Sequence, residues 1–206
     1  MKIINCLLDK NNNLDINGMP LGILIEQSGK EFLWSDRDGE IIDVIVVHYI
    51  SAVDITPDDP YNFRTIMKIF CDFGVSSHFL IDRDGVIYKL VPETQKAWHC
   101  GGSRMPHPDN RTAVNNFSIG IELMATAISG FKSIQYDSLA TLILLMENKF
   151  HRTFKLVGHD MVANEAAVKD GLRKDIKVDP GEHFSWVFLE NRIISLREAN
   201  GCKYFE

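Results

Sequence analysis

Two histidines, a carboxylate and an ammonium stand where apolar runs give way to loops. His48 follows Val44-Ile45-Val46-Val47, His159 follows Gly158, and Lys177 and Asp179 lie in Lys177-Val178-Asp179-Pro180-Gly181. These are the parts of a hydrolytic zinc centre. A catalytic zinc takes three protein ligands of nitrogen, oxygen or sulfur and keeps a fourth position for water, whose pKa it lowers to about 7. Two His and one Asp supply three ligands and leave the site open.

Each residue alone has a plainer reading. A single His at a strand end hydrogen-bonds a loop, Asp-Pro-Gly starts a turn, and Lys177 is a solvated charge. It is the conjunction that points to chemistry. Asp179 precedes Pro180 and is biased to an extended conformation, in which residues two apart project to the same side, so Lys177 and Asp179 face one cleft. Glu122 lies inside Ile119-Gly120-Ile121-Glu122-Leu123. A carboxylate in an apolar strand needs a compensating partner, and beside a metal-bound water it is a proton acceptor. The competing reading for Glu122 is a structural ion pair.

The elements that must hold these groups are visible in the periodicity. Ile41 to Val47 is nearly continuous in apolar character, as a strand covered on both faces is, and His48 is expected to end it. Phe63, Ile66, Met67, Phe70 and Phe73 recur at three- and four-residue steps, an amphipathic helix starting near Pro60. Strands are expected around Phe79 to Asp82 and Val86 to Leu90, joined across Asp84-Gly85 as a hairpin. Ser118 to Met124 reads as a second buried strand and Phe154 to Val157 as a short third. Tyr136 to Phe150 and Phe184 to Leu196 read as helices covering the sheet.

The loop from Pro92 to Asn116 carries Trp98-His99-Cys100-Gly101-Gly102 and is long enough to bind something. Residues 1 to 40, with Asn11-Asn12-Asn13 and a turn at Asn17-Gly18, are expected to be an extension packed on a main domain of residues 41 to 206. Asp36-Arg37-Asp38-Gly39 recurs as Asp82-Arg83-Asp84-Gly85, which reads as reused turn chemistry.

Bulk properties narrow the function. A chain of 206 residues with 45% hydrophobic content builds one domain with a substantial core. A net charge of -6 argues against nucleic acid, which needs clustered Lys and Arg. Cys6, Cys71, Cys100 and Cys202 form no CxxC pair, so free thiols are expected rather than a zinc ribbon or a disulfide framework. No secretory signal and no run of about 20 apolar residues for a membrane span is seen.

With these residues in place, the chain resembles the zinc-dependent N-acetylmuramoyl-L-alanine amidases of the type-2 amidase family, which spans AmpD-like anhydromuramyl amidases, phage lysozyme-type amidases and peptidoglycan recognition proteins. The matching segments come in family order: Val46-Val47-His48, Ser77-His78-Phe79-Leu80-Ile81 with Arg83-Asp84-Gly85, Ala97-Trp98-His99-Cys100-Gly101, Asn115 through Leu123, Gly158-His159-Asp160, and Lys177 through Gly181. They cover roughly residues 41 to 190.

The resemblance implies an α/β fold, a single domain with a central mixed β-sheet flanked by α-helices. It implies that His48, His159 and Asp179 ligate Zn2+, that Glu122 is the general base, and that Lys177 stabilises the oxyanion. Trp98 and His99 would line the saccharide and peptide cleft, Asn115 would support that loop, and Arg111 is a looser candidate for a substrate carboxylate. The implied reaction cleaves the amide between the lactyl group of N-acetylmuramic acid and L-alanine, in peptidoglycan fragments or muropeptides. The enzyme is expected to be a monomer in the cytoplasm, with release to the cell wall as the alternative.

Departures from the family accompany the match. Asp160 to Val178 is a charged stretch longer than in compact members, expected to shape substrate choice or to act as a lid. Ser77 stands where some members have a catalytic Tyr, and Tyr49 is a variable wall residue. The Cys100 thiol is a further donor, although Asp179 already completes the ligand set. A non-catalytic recognition module is the competing function, but that state is marked by a lost ligand, and none of the three is lost.

Overall fold

The structure, a computed structural model, describes residues 2–10 and 33–199. Asn11-Asn12-Asn13 and the Asn17-Gly18 turn lie outside the described residues. Six strands form one mixed sheet in the order β1 (Ile3–Asn5), β5 (Ile87–Lys89), β4 (Phe79–Ile81), β7 (Ser118–Met124), β3 (Val44–Ile50) and β8 (Lys155–Gly158). β4, β7, β3 and β8 run parallel, and β5 is antiparallel to β4. β2 (Trp34–Asp36) pairs separately with β6 (Gln95–Ala97).

Strand alternation sorts the chemistry from the core. Side chains along a strand alternate faces. Ile45 and Val47 of β3 and Ile119, Ile121 and Leu123 of β7 are fully buried in one cluster under α2 (Ser133–Phe150) and α5 (Trp186–Ala199). The other parity carries Val44 and Val46, then His48, and on β7 Ser118, Gly120 and Glu122. In register His48 lies directly opposite Glu122. The two polar groups therefore share the face away from the long helices, where loops cover the sheet.

On that face α1 (Phe63–Asp72) buries Ile66, Met67 and Phe70. Its first turn is capped by Asn62, whose Oδ1 accepts from the Thr65 amide at 3.0 Å. α3 (His159–Val162) follows β8 directly, and α4 (Glu165–Lys169) is capped by Asn164. Among the described residues no helix is long and apolar enough to cross a membrane.

Two differences from the sequence expectation share one physical cause. β3 begins at Val44 and continues to Ile50, because its extent is set by pairing with β7 from Ser118 to Met124. His48 thus sits inside the strand and does not end it. The described parts of the lead-in form strands in both sheets, and Trp34 donates to the Leu8 carbonyl at 3.0 Å.

The recurring tetrapeptide does more than turn. Arg37 donates to the carbonyls of Asn115 (3.0 Å), Asn116 (2.7 Å) and Ser118 (2.7 Å), while Arg83 donates to Met124 (3.1 Å) and Gly130 (2.7 Å). One arginine holds each end of β7. Arg37→Ala leaves three carbonyls without their charged donor and is expected to destabilise the protein by about 3 kcal/mol. Arg37→Lys recovers little of that, since a point charge cannot fork to three acceptors. Urea unfolding midpoints measure both.

Candidate functional site

His48 from β3, His159 from α3 and Asp179 from the segment before α5 converge on one point. His48 Nδ1 lies 3.0 Å and His159 Nδ1 3.1 Å from the same carboxylate oxygen, Asp179 Oδ2. Backbone bonds fix this meeting: the Asp160 amide donates to the Asp179 carbonyl at 2.7 Å, and the Lys177 amide to the Ala163 carbonyl at 2.9 Å. Ligating atoms of the three side chains lie within 4.8 Å of one another, as a metal ion requires. His48, His99 and Cys100 form a second such group among the described residues.

The surroundings set the charge states. Burial is the largest influence on His48 and lowers it to about 4, against the opposing bond from Asp179. Its imidazole is therefore neutral near pH 7, the state a ligand needs. Burial alone pushes Asp179 up, but the hydrogen bonds from His159 and His48 outweigh it and hold the carboxylate ionised. Burial, then the Asp179 charge, pushes Glu122 well above the usual carboxylate range, with Lys177 opposing. Glu122 Oε2 is buried and has no hydrogen-bond partner.

A cavity of about 500 Å³ opens beside the trio, lined by His48, Glu122, His159, Lys177 and Asp179 together with Tyr49, Trp98, His99 and Ile176. Lys177 also lines the adjoining cavities on both sides. The stretch from Asp160 to Val178 thus contributes cleft wall. It is tied down by Arg173, which donates to the carbonyls of Cys100 at 3.3 Å and Gly102 at 3.1 Å. A Cβ on Gly102 would lie 1.8 Å from the Leu172 carbonyl oxygen, so these two segments meet backbone to backbone.

The remaining sequence candidates divide. Trp98 stands in the wall of two cavities. Asn115 is buried, and its Oδ1 accepts from the amides of His99 (3.3 Å) and Cys100 (2.8 Å), which fixes the loop. His99 touches the cleft but sits behind His48, with Nδ1 3.1 Å from His48 Nε2 and Nε2 3.2 Å from Ser118 Oγ. Gly120 makes room for that ring, because a Cβ there would come within 2.5 Å of it. Ser77 is buried, and its hydroxyl donates to the Gly120 carbonyl at 2.7 Å.

Arg111 is not brought to the cleft. Its Nη2 lies 3.0 Å from both oxygens of Asp43, its Nε donates to Asp109 at 2.6 Å, and its guanidinium stacks 4.0 Å over Phe117. Two carboxylates already engage it, and it is not among the residues that line the cavity. Arg37 is the residue that sequence reasoning passed over. It carries both Asn115 and Ser118 through their backbones, and only its place in a short tetrapeptide hinted at it.

The buried histidines also make the fold acid-sensitive. Burial, then the Arg37 charge, lowers His78 to about 3, and His48 lies at about 4, whereas an unfolded histidine takes its proton at 6.5. The unfolded chain therefore binds protons first as pH falls. Each histidine should lower the stability of the metal-free protein below pH 6.5 by about 1.4 kcal/mol per pH unit, and the raised Glu122 carboxyl, which takes its proton first in the folded state, offsets part of that fall. Urea titrations between about pH 7 and pH 5 check the slope; a flat midpoint contradicts it.

Comparison with known proteins gives the family. Residues 38–182 match the Amidase_2 family, described as N-acetylmuramoyl-L-alanine amidase. The chain is 31% identical over 161 residues to the 1,6-anhydro-N-acetylmuramyl-L-alanine amidase AmpD of Haemophilus influenzae, covering 70% of this chain and 79% of that protein. It is 36% identical over 113 residues to the Escherichia coli AmpD, where the match spans about half of each chain, 54% and 55%. A crystal structure of a selenomethionine AmpD derivative superposes with a TM-score of 0.59 at 29% identity, covering 78% of this chain and 90% of that one. The E. coli amidase AmiD, solved with anhydro-N-acetylmuramic acid-L-Ala-D-γ-Glu-L-Lys, gives a TM-score of 0.55 at 28% identity, covering 76% and 60%. With a mixed sheet that sets two histidines and an aspartate around one point, and a family match over most of its length, this chain belongs to the Amidase_2 family of N-acetylmuramoyl-L-alanine amidases.

Proposed function

We propose that the cleft hydrolyses the amide between the lactyl group of N-acetylmuramic acid and L-alanine, with His48, His159 and Asp179 as the residues that hold zinc. The observation that carries this reading is the convergence of His48 Nδ1 and His159 Nδ1 on Asp179 Oδ2, at 3.0 and 3.1 Å. Two imidazoles and one carboxylate suit an open zinc site. When bound, zinc polarises the scissile carbonyl and lowers the pKa of water to about 7.

The chain's own groups supply the rest. Glu122 Oε2, unpartnered and on the strand face beside His48, takes the proton from the attacking water and returns it to the departing amine of L-alanine. Its raised pKa makes it a stronger proton acceptor than an ordinary carboxylate. Lys177 lines the same cavity, where its ammonium offsets the negative charge that grows on the carbonyl oxygen. Trp98 offers a flat apolar face to the sugar, and Asn115 keeps the Trp98 loop in place.

The substrate is taken to be soluble anhydro-muropeptide, and the site of action the cytoplasm. The names of the AmpD relatives and the ligand in the AmiD structure support the anhydro-muropeptide as substrate. Metal-replete protein is incubated with defined anhydro-muropeptide and, separately, with intact sacculi, and peptides beginning with L-alanine are followed by mass spectrometry. Release from the soluble substrate alone is expected. Faster release from sacculi replaces this substrate by intact wall, and binding of muropeptide without release from either substrate makes the chain a recognition module.

A further inference from the structure

We infer that His48 is shared between two alternative metal sites, and that the second one, built from His48 Nε2, His99 Nδ1 and Cys100 Sγ, captures a soft, thiophilic ion. The donors are close: His99 Nδ1 is 3.1 Å from His48 Nε2 and 3.0 Å from Cys100 Sγ. All three residues are buried, and their ligating atoms lie within 4.8 Å of one another. Metal–nitrogen and metal–sulfur bonds of about 2.0 to 2.3 Å span such separations with small movements. Access comes through a cavity of about 420 Å³ whose wall includes His99, Cys100 and Arg173.

The two sets differ in the chemistry they prefer. His48, His159 and Asp179 offer two nitrogens and an oxygen, whereas His48, His99 and Cys100 offer two nitrogens and a thiolate. Thiolate selects soft ions such as Cu(I) or Cd2+. Binding displaces the Cys100 proton to solvent, as coordination of any thiol does.

A neutral imidazole has one lone pair, so His48 serves one set at a time. With the lone pair on Nδ1, it faces Asp179 and His159, and its Nε2–H donates to His99. With the lone pair on Nε2, it joins His99 and Cys100, and its Nδ1–H donates to Asp179. A proton shift across one ring converts one arrangement into the other. Loading the thiolate set therefore removes a ligand from the amidase centre and switches the enzyme off. This competition, though not the thiolate site itself, rests on the zinc reading above.

Cd2+ is the probe, because its thiolate complexes absorb in the ultraviolet and zinc does not obscure them. Zinc-loaded full-length protein carrying Cys6→Ser and Cys202→Ser is titrated with Cd2+, while absorbance and zinc release to a chromophoric chelator are followed together. One equivalent should produce the thiolate band and release one equivalent of zinc. Cys100→Ser and Cys100→Ala should both keep zinc at the start and show no band. His159→Ala separates the two readings, since it lacks zinc yet should still give the band. Absence of the band in the parent protein, or its survival in both Cys100 variants, overturns the site. A band that forms with zinc fully retained overturns the sharing of His48.

Discussion

Glu122→Gln is expected to lower amide hydrolysis by about a hundred- to ten-thousand-fold while metal content stays unchanged. Glutamine keeps the shape of the side chain, so the strand register opposite His48 survives. It cannot accept a proton, so the relay from water to departing amine is lost. The same change should leave stability unchanged or raise it, because burying a carboxylate whose Oε2 has no partner costs more free energy than burying a neutral amide in its place. A structural ion-paired Glu122 predicts the reverse pattern, with rate kept and stability lost. Turnover of metal-replete protein, metal content by mass spectrometry and urea unfolding read the three quantities together. Full activity in the variant removes Glu122 from the mechanism.

His159→Ala should abolish both zinc retention and turnover. Removing outer-sphere partners of metal ligands costs 10- to 100-fold in affinity, so loss of a ligand should exceed about a hundredfold. The local fold is expected to persist, because the turn that joins β8 to the Asp179 segment is held by backbone bonds, from the Asp160 amide to Asp179 and from the Lys177 amide to Ala163. Added zinc should raise the unfolding temperature of the natural protein by mass action and leave that of the variant unmoved. Zinc content after dialysis checks the first claim and thermal unfolding with and without zinc the second. Retained zinc at full stoichiometry would remove His159 from the ligand set.

Much of the frame was legible from periodicity. The apolar run from Ser118 to Met124 coincides with β7, and the helical spacing of Tyr136 to Phe150 lies within α2, because each pattern is written into consecutive residues. Alternation also implies that Glu122 shares a face with Gly120 and Ser118. The start of β3 was misjudged for a related reason: Ile41 and Ile42 are as apolar as their neighbours, but pairing with β7 begins only at Val44. Hydrophobicity proposes a strand, and the partner strand decides its ends.

The sequence by itself determined the family, the kinds of donor side chain available and the faces on which strand residues appear, since these depend on residue type and short-range spacing. Only the tertiary structure decided which groups meet. His48 and Asp179 are 131 positions apart, yet lie 3.0 Å from each other. Arg111 had the right chemistry for a substrate carboxylate but is held by Asp43 and Asp109. His99 turned out to stand behind a candidate ligand, and Arg37, from the lead-in, to secure the loop that carries Asn115. The physical reason is common to all four: a side chain's charge and donors are local properties, whereas its partner is fixed by how distant segments pack.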